Sequence, residues 1–194
     1  MEAALTTLVP RLLGEDQSFL VHPHQGKRDL LHKLPSRLRA YRRWLPQDYG
    51  LVVVTDEDRQ NCEAIKETRE AAALEADLVT RRRNRQAFQV VSWIAVEELE
   101  AWFLGDVDAL EAAYPGTRRL VGRHRDFRDP DQVRGGTWEA LERVLNRAGH
   151  HRGGLRKIEA ARAISAHMEP QRNRSNSFRG FVRALLDTRR RGGG

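Results

Sequence analysis

Residues 51–59 read L-V-V-V-T-D-E-D-R, and this stretch decides the fold. Leu51-Val52-Val53-Val54 is an apolar, largely β-branched run without polar alternation, the pattern of a parallel strand covered on both faces. Downstream, the spacing predicts a helix from about Arg59 to Leu78. A strand follows from Gln89 to Val96, then a helix from Glu97 to Leu104 closed by Gly105. Upstream, Leu30, Leu34, Leu38, Tyr41 and Leu45 form one apolar stripe on a helix from Asp29 to Leu45, where Pro35 predicts a kink or a break. Ser18 to His22 reads as a short strand. Leu5, Leu8, Val9, Leu12 and Leu13 mark a first helix that Gly14 stops.

Strand and helix therefore alternate, and right-handed βαβ crossovers make this an α/β fold. The expectation is a small, mainly parallel three-stranded sheet flanked by helices. Beyond Asp106 no strand is legible. Helices are expected over Asp106–Tyr114, Thr137–Ala148, Leu155–Met168 and Phe178–Arg190, with Asp106 and Thr137 as N-caps and Gly149 as a stop. Residues 115–136 read as a long loop. The organisation expected is an α/β core over 1–114, that loop, and an all-helical part over 137–191 packed on the core.

At 194 residues the chain can bury roughly 70% of its unfolded surface and needs no staples. A single cysteine, Cys62, excludes an internal disulfide and a four-cysteine zinc site, which suits a reducing cytoplasm. No apolar run approaches the roughly 20 residues that span a bilayer, so no membrane partner is expected. The net charge is +7, carried by 30 arginines and only four lysines. A basic surface attracts phosphate, but base composition alone produces such an arginine skew. Charge permits a nucleic-acid partner without proving one.

Ligands of open parallel sheets bind at the carboxyl ends of the strands. Two acidic sets stand there: Asp56, Glu57 and Asp58 after one strand, Glu97, Glu98 and Glu100 after the next. In extended chain Asp56 and Asp58 point the same way. Converging carboxylates repel unless a cation intervenes, and hard oxygen donors favour Mg²⁺ or Mn²⁺. The competing reading is ordinary: an Asp between strand and helix is a common N-cap, and first-turn glutamates suit the helix dipole. Glu100 reads as a solvated helix residue.

The turn H-P-H-Q-G-K, residues 22–27, sets His24 and Lys27 beside a glycine as candidate phosphate contacts. It lacks the glycines and the Ser or Thr of a Walker loop, and no zinc partner stands at a suitable spacing for its histidines. Lys157 and Arg162 are further candidate phosphate ligands, five apart on the helix Leu155–Met168. The turn Arg172 to Ser177 reads as a solvated Ser cap, with a phosphate-gripping edge as the sharper alternative. Trp93, Trp102, Phe103 and Trp138 read as core.

Five stretches together resemble one bacterial family, DUF4276, regarded as relatives of the TOPRIM domain: F-L-V-H-P-H-Q-G-K-R-D-L-L-H-K-L-P (19–35), L-V-V-V-T-D-E-D-R (51–59), I-A-V-E-E-L-E-A-W-F-L-G-D (94–106), G-G-T-W-E-A-L (135–141) and G-G-L-R-K-I-E-A-A-R-A-I-S-A-H-M (153–168). TOPRIM domains occur in topoisomerases, primases and the nucleases of phage-defence systems. They hold Mg²⁺ with a first-strand glutamate and a later D-x-D. The resemblance implies Asp56 and Asp58 as metal ligands, Glu97 or Glu98 as a supporting acid, and a phosphodiesterase or nuclease working with an ATPase partner.

One departure stands out. The first helix begins directly after Met1, so the expected strand and its glutamate have no counterpart. Either the chain continues upstream, or an edge strand and a ligand have been lost. A non-catalytic regulatory or partner-binding subunit is therefore the alternative expectation, and a nucleotide-handling enzyme built on the H-P-H-Q-G-K turn ranks last.

Overall fold

A computed structural model of the protein describes residues 1–46, 49–56, 62–95, 98–122 and 124–189. Strand β1, Leu51–Asp56, lies parallel to β2, Val90–Ala95, in a two-stranded sheet. The β-branched run of β1 has both its faces covered. Leu51 and Val53 pack with Leu34 and Leu38 of α2 (Gly26–Trp44) and with Ala72, Ala73 and Ala76 at the end of α3 (Cys62–Glu75). Val52, on the opposite face, packs with Phe88, Val91 and Ala184. Period-two alternation along a strand requires this split. Each such side chain fully buried contributes about 1.5–3 kcal/mol.

Among the described residues the sheet has two strands, not the three expected. Residues 18–22 join no strand, and Leu20 is 82% exposed. A five-residue segment that turns its central leucine to solvent has too little apolar surface to seat itself in a sheet. The third extended segment comes from elsewhere. Thr80 makes one parallel bridge to Val90, with the Arg81 N–H donating to the Val90 carbonyl at 2.9 Å. Pro35 does not break α2, which runs through it as a single helix, with Leu34 and Leu38 buried to either side.

The chain divides into two compact units, each discontinuous in sequence: Met1–Val21 with Ala95–Val182, and His22–Ile94 with Arg183–Gly194. The second unit contains the sheet, α2 and α3. In the first unit, α1 (Glu2–Leu13) packs on α8 (Lys157–Ser165). Arg11 donates to the carbonyls of Ser165 and Met168 at 2.9 and 3.0 Å, capping the C-terminal end of α8. The centre of this unit is α4 (Glu100–Gly105), all six of whose residues are buried. The Trp102 ring stacks on Phe181 at 4.9 Å.

Helix α5 (Val107–Ala113) starts on Asp106, whose Oδ1 accepts the Ala109 N–H at 3.0 Å, as the cap spacing predicts. The expected loop over 115–136 instead holds α6 (Arg118–Val121) and two 3-10 turns, Arg125–Phe127 and Pro130–Gln132. Helix α7 (Thr137–Arg147) has Gly136 in the cap position, not Thr137. Helix α9 (Asn176–Arg189) begins after a turn in which Ser175 Oγ accepts the Phe178 N–H at 2.9 Å. The serine cap is therefore present, but the turn is only partly solvated, with Arg172 and Asn176 exposed. Asn173, Ser175 and Ser177 are all buried, and Asp131 accepts from Ser175 Oγ at 2.6 Å and from the Ser177 N–H at 3.0 Å.

Candidate functional site

Asp56 is the last residue of β1 and is half-buried. The residue before it, Thr55, is buried, and its Oγ1 accepts a short hydrogen bond from Arg69 Nη2. Arg69 Nη1 donates to the Trp93 carbonyl at 3.1 Å. One guanidinium from α3 thus ties together the carboxyl-terminal halves of both strands. Arg69 is only 1% exposed. A guanidinium cannot be deprotonated inside a protein, so the fold places a permanent positive charge at the strand ends.

Sequence reasoning did not single out Arg69, although a signal existed. It falls in register with Ile65, Ala72, Ala73 and Ala76, the buried face of α3. A charged residue at an apolar position of a helix needs a partner or a task. Glu57, Asp58 and Glu97 lie outside the described residues.

The second acidic set belongs to the other unit. Glu98 Oε2 accepts from Thr137 Oγ1 at 3.0 Å and from the Trp138 N–H at 3.1 Å. It therefore supplies the carboxylate cap that α7 lacks locally, with the charge favoured at a helix N-terminus. Glu100 is buried, contrary to the solvated residue expected, because α4 runs through the core. Burial pushes its carboxyl pKa up, Lys157 opposes the shift, and Glu98 adds to it. Lys157 Nζ lies 3.9 Å from Glu100 Oε1 and 4.7 Å above the Trp138 ring. The ammonium is thus held between a carboxylate and an aromatic face. Arg162, on the same helix, is exposed and takes no part in this group. Trp102 and Phe103 are core residues as expected, whereas Trp93 and Trp138 are half-buried.

The H-P-H-Q-G-K turn is organised around a carboxylate of its own. Asp29 Oδ2 lies 3.1 Å from His24 Nδ1 and accepts the Gln25 N–H at 3.2 Å, while Lys33 Nζ is 2.6 Å from Oδ1. The Lys33 ammonium above all, then the Gln25 N–H and His24, lower the Asp29 pKa to about 2. An anion already sits on the donors that a phosphate would use. Gly26 enters α2 with φ of 82°, so the turn needs its glycine, and Lys27 falls in the first helical turn.

The family described as "Domain of unknown function (DUF4276)" matches residues 1–186. The chain belongs to the DUF4276 family. No curated protein and no solved structure matches it. In this DUF4276 chain, the described residues of the stretch E-E-L-E-A-W-F-L-G-D, 98–106, are largely core. Ala101 to Leu104 are at most 2% exposed, with Glu98 and Glu100 before them and the fully buried Asp106 after. Among the described residues no group of three or more His, Cys, Asp or Glu side chains gathers to hold a metal ion, and no helix is long and apolar enough to cross a membrane.

Proposed function

We propose that the chain is a Mg²⁺- or Mn²⁺-dependent phosphodiesterase acting on nucleic acid in the cytoplasm, with Asp56 and Asp58 as the protein ligands of the metal. The observation that carries this reading is the position of Asp56, half-buried at the carboxyl end of a parallel strand. Open parallel sheets take their ligands there, and a carboxylate is the hard donor such an ion prefers. When bound, the ion polarises a phosphoryl oxygen of the scissile diester.

The fixed charge of Arg69, bonded to the neighbouring Thr55, attracts a substrate phosphate to the strand end and works against the cation that Asp56 and Asp58 would hold. Glu97 and Glu98 are the supporting acids, with Glu98 oriented by its bonds to α7. Lys27 and Arg162 are assigned to substrate phosphates; His24 and Lys157, expected with them from the sequence, are engaged by Asp29 and Glu100. The TOPRIM resemblance adds an ATPase as the partner protein.

The test is cleavage of labelled DNA and RNA by the purified chain with Mg²⁺, Mn²⁺ or EDTA. Metal-dependent cleavage lost in both Asp56→Asn and Asp58→Asn is the expected result. Cleavage unchanged in both variants would sink the proposal.

A second reading, a non-catalytic partner-binding subunit, is favoured by one observation. Glu98 and Glu100 both have structural engagements, at the α7 N-terminus and against Lys157. It predicts binding without turnover and no Mg²⁺-dependent rise in melting temperature. A rise that disappears in Asp56→Asn counts against it.

A further inference from the structure

We infer that the cavity walled by α5, α6 and the turn before α9 is a binding site for an anion carrying two or more phosphate groups. The cavity has a volume of about 570 Å³, within the range of small-molecule sites. It lies wholly within the unit built on α4, and nothing in the inference depends on a metal at Asp56.

Four guanidiniums line it, from Arg118, Arg119, Arg172 and Arg174, against the carboxylates of Asp106 and Asp108. Two positive charges are left in excess. The carboxylates are also already used. Asp106 is fully buried, with Oδ1 accepting from the Ala109 N–H at 3.0 Å and from Arg172 Nε at 2.8 Å, and Oδ2 accepting from the Glu169 N–H at 2.8 Å. Asp108 Oδ1 lies 2.6 Å from Arg118 Nη1. These pairs hold Arg172 and Arg118 in place. Arg119 and Arg174 are in a different state. Arg119 has no ion-pair partner among the described residues, and Arg174 Nη2 is buried without a hydrogen-bond partner. A guanidinium has five donors and no acceptor, so a buried N–H left over asks for an oxygen.

The backbone that carries Arg174 and Arg118 is also fixed in advance. The Arg174 N–H donates to the Gly105 carbonyl at 3.0 Å. Its neighbours are anchored on both sides. Asn173 Nδ2 donates to the Trp102 carbonyl at 2.8 Å, and Ser175 Oγ donates to Asp131 at 2.6 Å. The turn closes so tightly on α4 that a Cβ at Gly105 would meet Asn173 Oδ1 at 2.2 Å. Arg118 is seated by its own N–H, which donates to Glu111 Oε2 at 2.7 Å. Arg118 and Arg172, whose guanidiniums carboxylates already hold, lose little entropy on meeting a phosphate.

The lining also says what is not recognised. Val107 is its one apolar side chain, and no aromatic ring is present among the residues that form it. A nucleobase would find no aromatic side chain to stack on. Recognition is of phosphate oxygens, whether from a free oligophosphate or from successive phosphodiesters of a nucleic-acid backbone.

The experiment uses the full chain in EDTA, in a phosphate-free buffer, titrated calorimetrically with tripolyphosphate and, separately, with a short single-stranded oligonucleotide. The EDTA keeps the outcome independent of any metal at Asp56. Saturable tripolyphosphate binding is expected, weakened about tenfold or more by Arg174→Ala and by Arg119→Glu, the loss of one charge-assisted contact. Arg152→Ala, an exposed arginine outside the cavity, serves as the control and leaves the affinity unchanged. Arg119 is exposed, so its variant keeps the test open if Arg174→Ala fails to fold. Oligonucleotide binding with the same Arg119 dependence assigns the site to a backbone. Binding of tripolyphosphate alone assigns it to a free oligophosphate. Absence of saturation, or equal weakening in Arg152→Ala, overturns the inference.

Discussion

At the scale of single residues, two buried side chains have consequences that can be measured. Arg69 bonds Thr55 Oγ1 and the Trp93 carbonyl with two different nitrogens of one rigid fork. A lysine has a single nitrogen and cannot reproduce that geometry. Arg69→Lys is expected to lower stability by about 1–3 kcal/mol in urea unfolding, the cost of an unsatisfied buried polar group. A change within the error of the measurement would remove Arg69 from its structural role. His151 is 7% exposed and sits at φ 50°. Its Nδ1 accepts the Arg156 N–H at 3.2 Å, so the neutral ring carries its proton on Nε2, 2.9 Å from Tyr114 Oη. Burial first, then Arg156, hold its pKa below the ordinary histidine value. As pH falls, the unfolded chain takes up this proton before the folded one does. Stability is full above about 6.5 and falls as pH drops from there towards the lowered folded-state value. His151→Asn keeps a residue that tolerates positive φ and removes the titration. The acid-side slope of unfolding free energy should shrink in that variant. An identical slope would show that other groups carry it.

At the scale of elements, α7 is capped from a distance. Gly136 brings no side chain to its N-terminus, and Glu98, 39 residues before Thr137, accepts the donors instead. Glu98→Ala should cost about 1 kcal/mol, as other lost caps do, with the loss concentrated in hydrogen exchange of the first turn of α7. Glu98→Gln keeps one acceptor oxygen and should cost less. If activity collapses in Glu98→Gln while stability holds, the supporting-acid role follows; if both change together, the cap is its whole task. Helix α2 provides a comparison free of charge effects. Leu38, 2% exposed, packs under β1, and Leu38→Ala should cost about 2–5 kcal/mol by leaving a cavity.

At the scale of the whole molecule, a net charge of +7 gives the chain a general attraction for polyanions. Part of the arginine complement is paired internally. Arg81 bonds Asp187, and Arg11 bonds Glu169 at 2.6 Å. General attraction and the cavity should separate by their response to salt. Affinity for a random oligonucleotide is expected to fall steeply with salt, the slope reporting the number of phosphates neutralised. Arg119→Glu should reduce that slope by about one if a backbone phosphate enters the cavity. An unchanged slope with unchanged affinity would place nucleic acid elsewhere on the surface.

What the amino-acid order determined unaided is what depends on near neighbours. The valine run of 51–54 demanded a strand covered on both faces, Gly14 and Asp106 marked helix ends, and the apolar stripe of 30–38 outlined α2 despite Pro35. Each rests on spacing within one turn or one pleat, so its trace is periodic and local. Tertiary structure alone decided the rest. Residues 18–22 pattern as a strand but join none, and pairing is a property of two segments. Whether Arg69 is a surface charge or a buried tie depends on Thr55 and Trp93, 14 and 24 residues away. The arginine cavity gathers residues from 105 to 174. Contacts at such separations leave no period in a sequence, because chain closure and packing, not local conformational preference, bring them together.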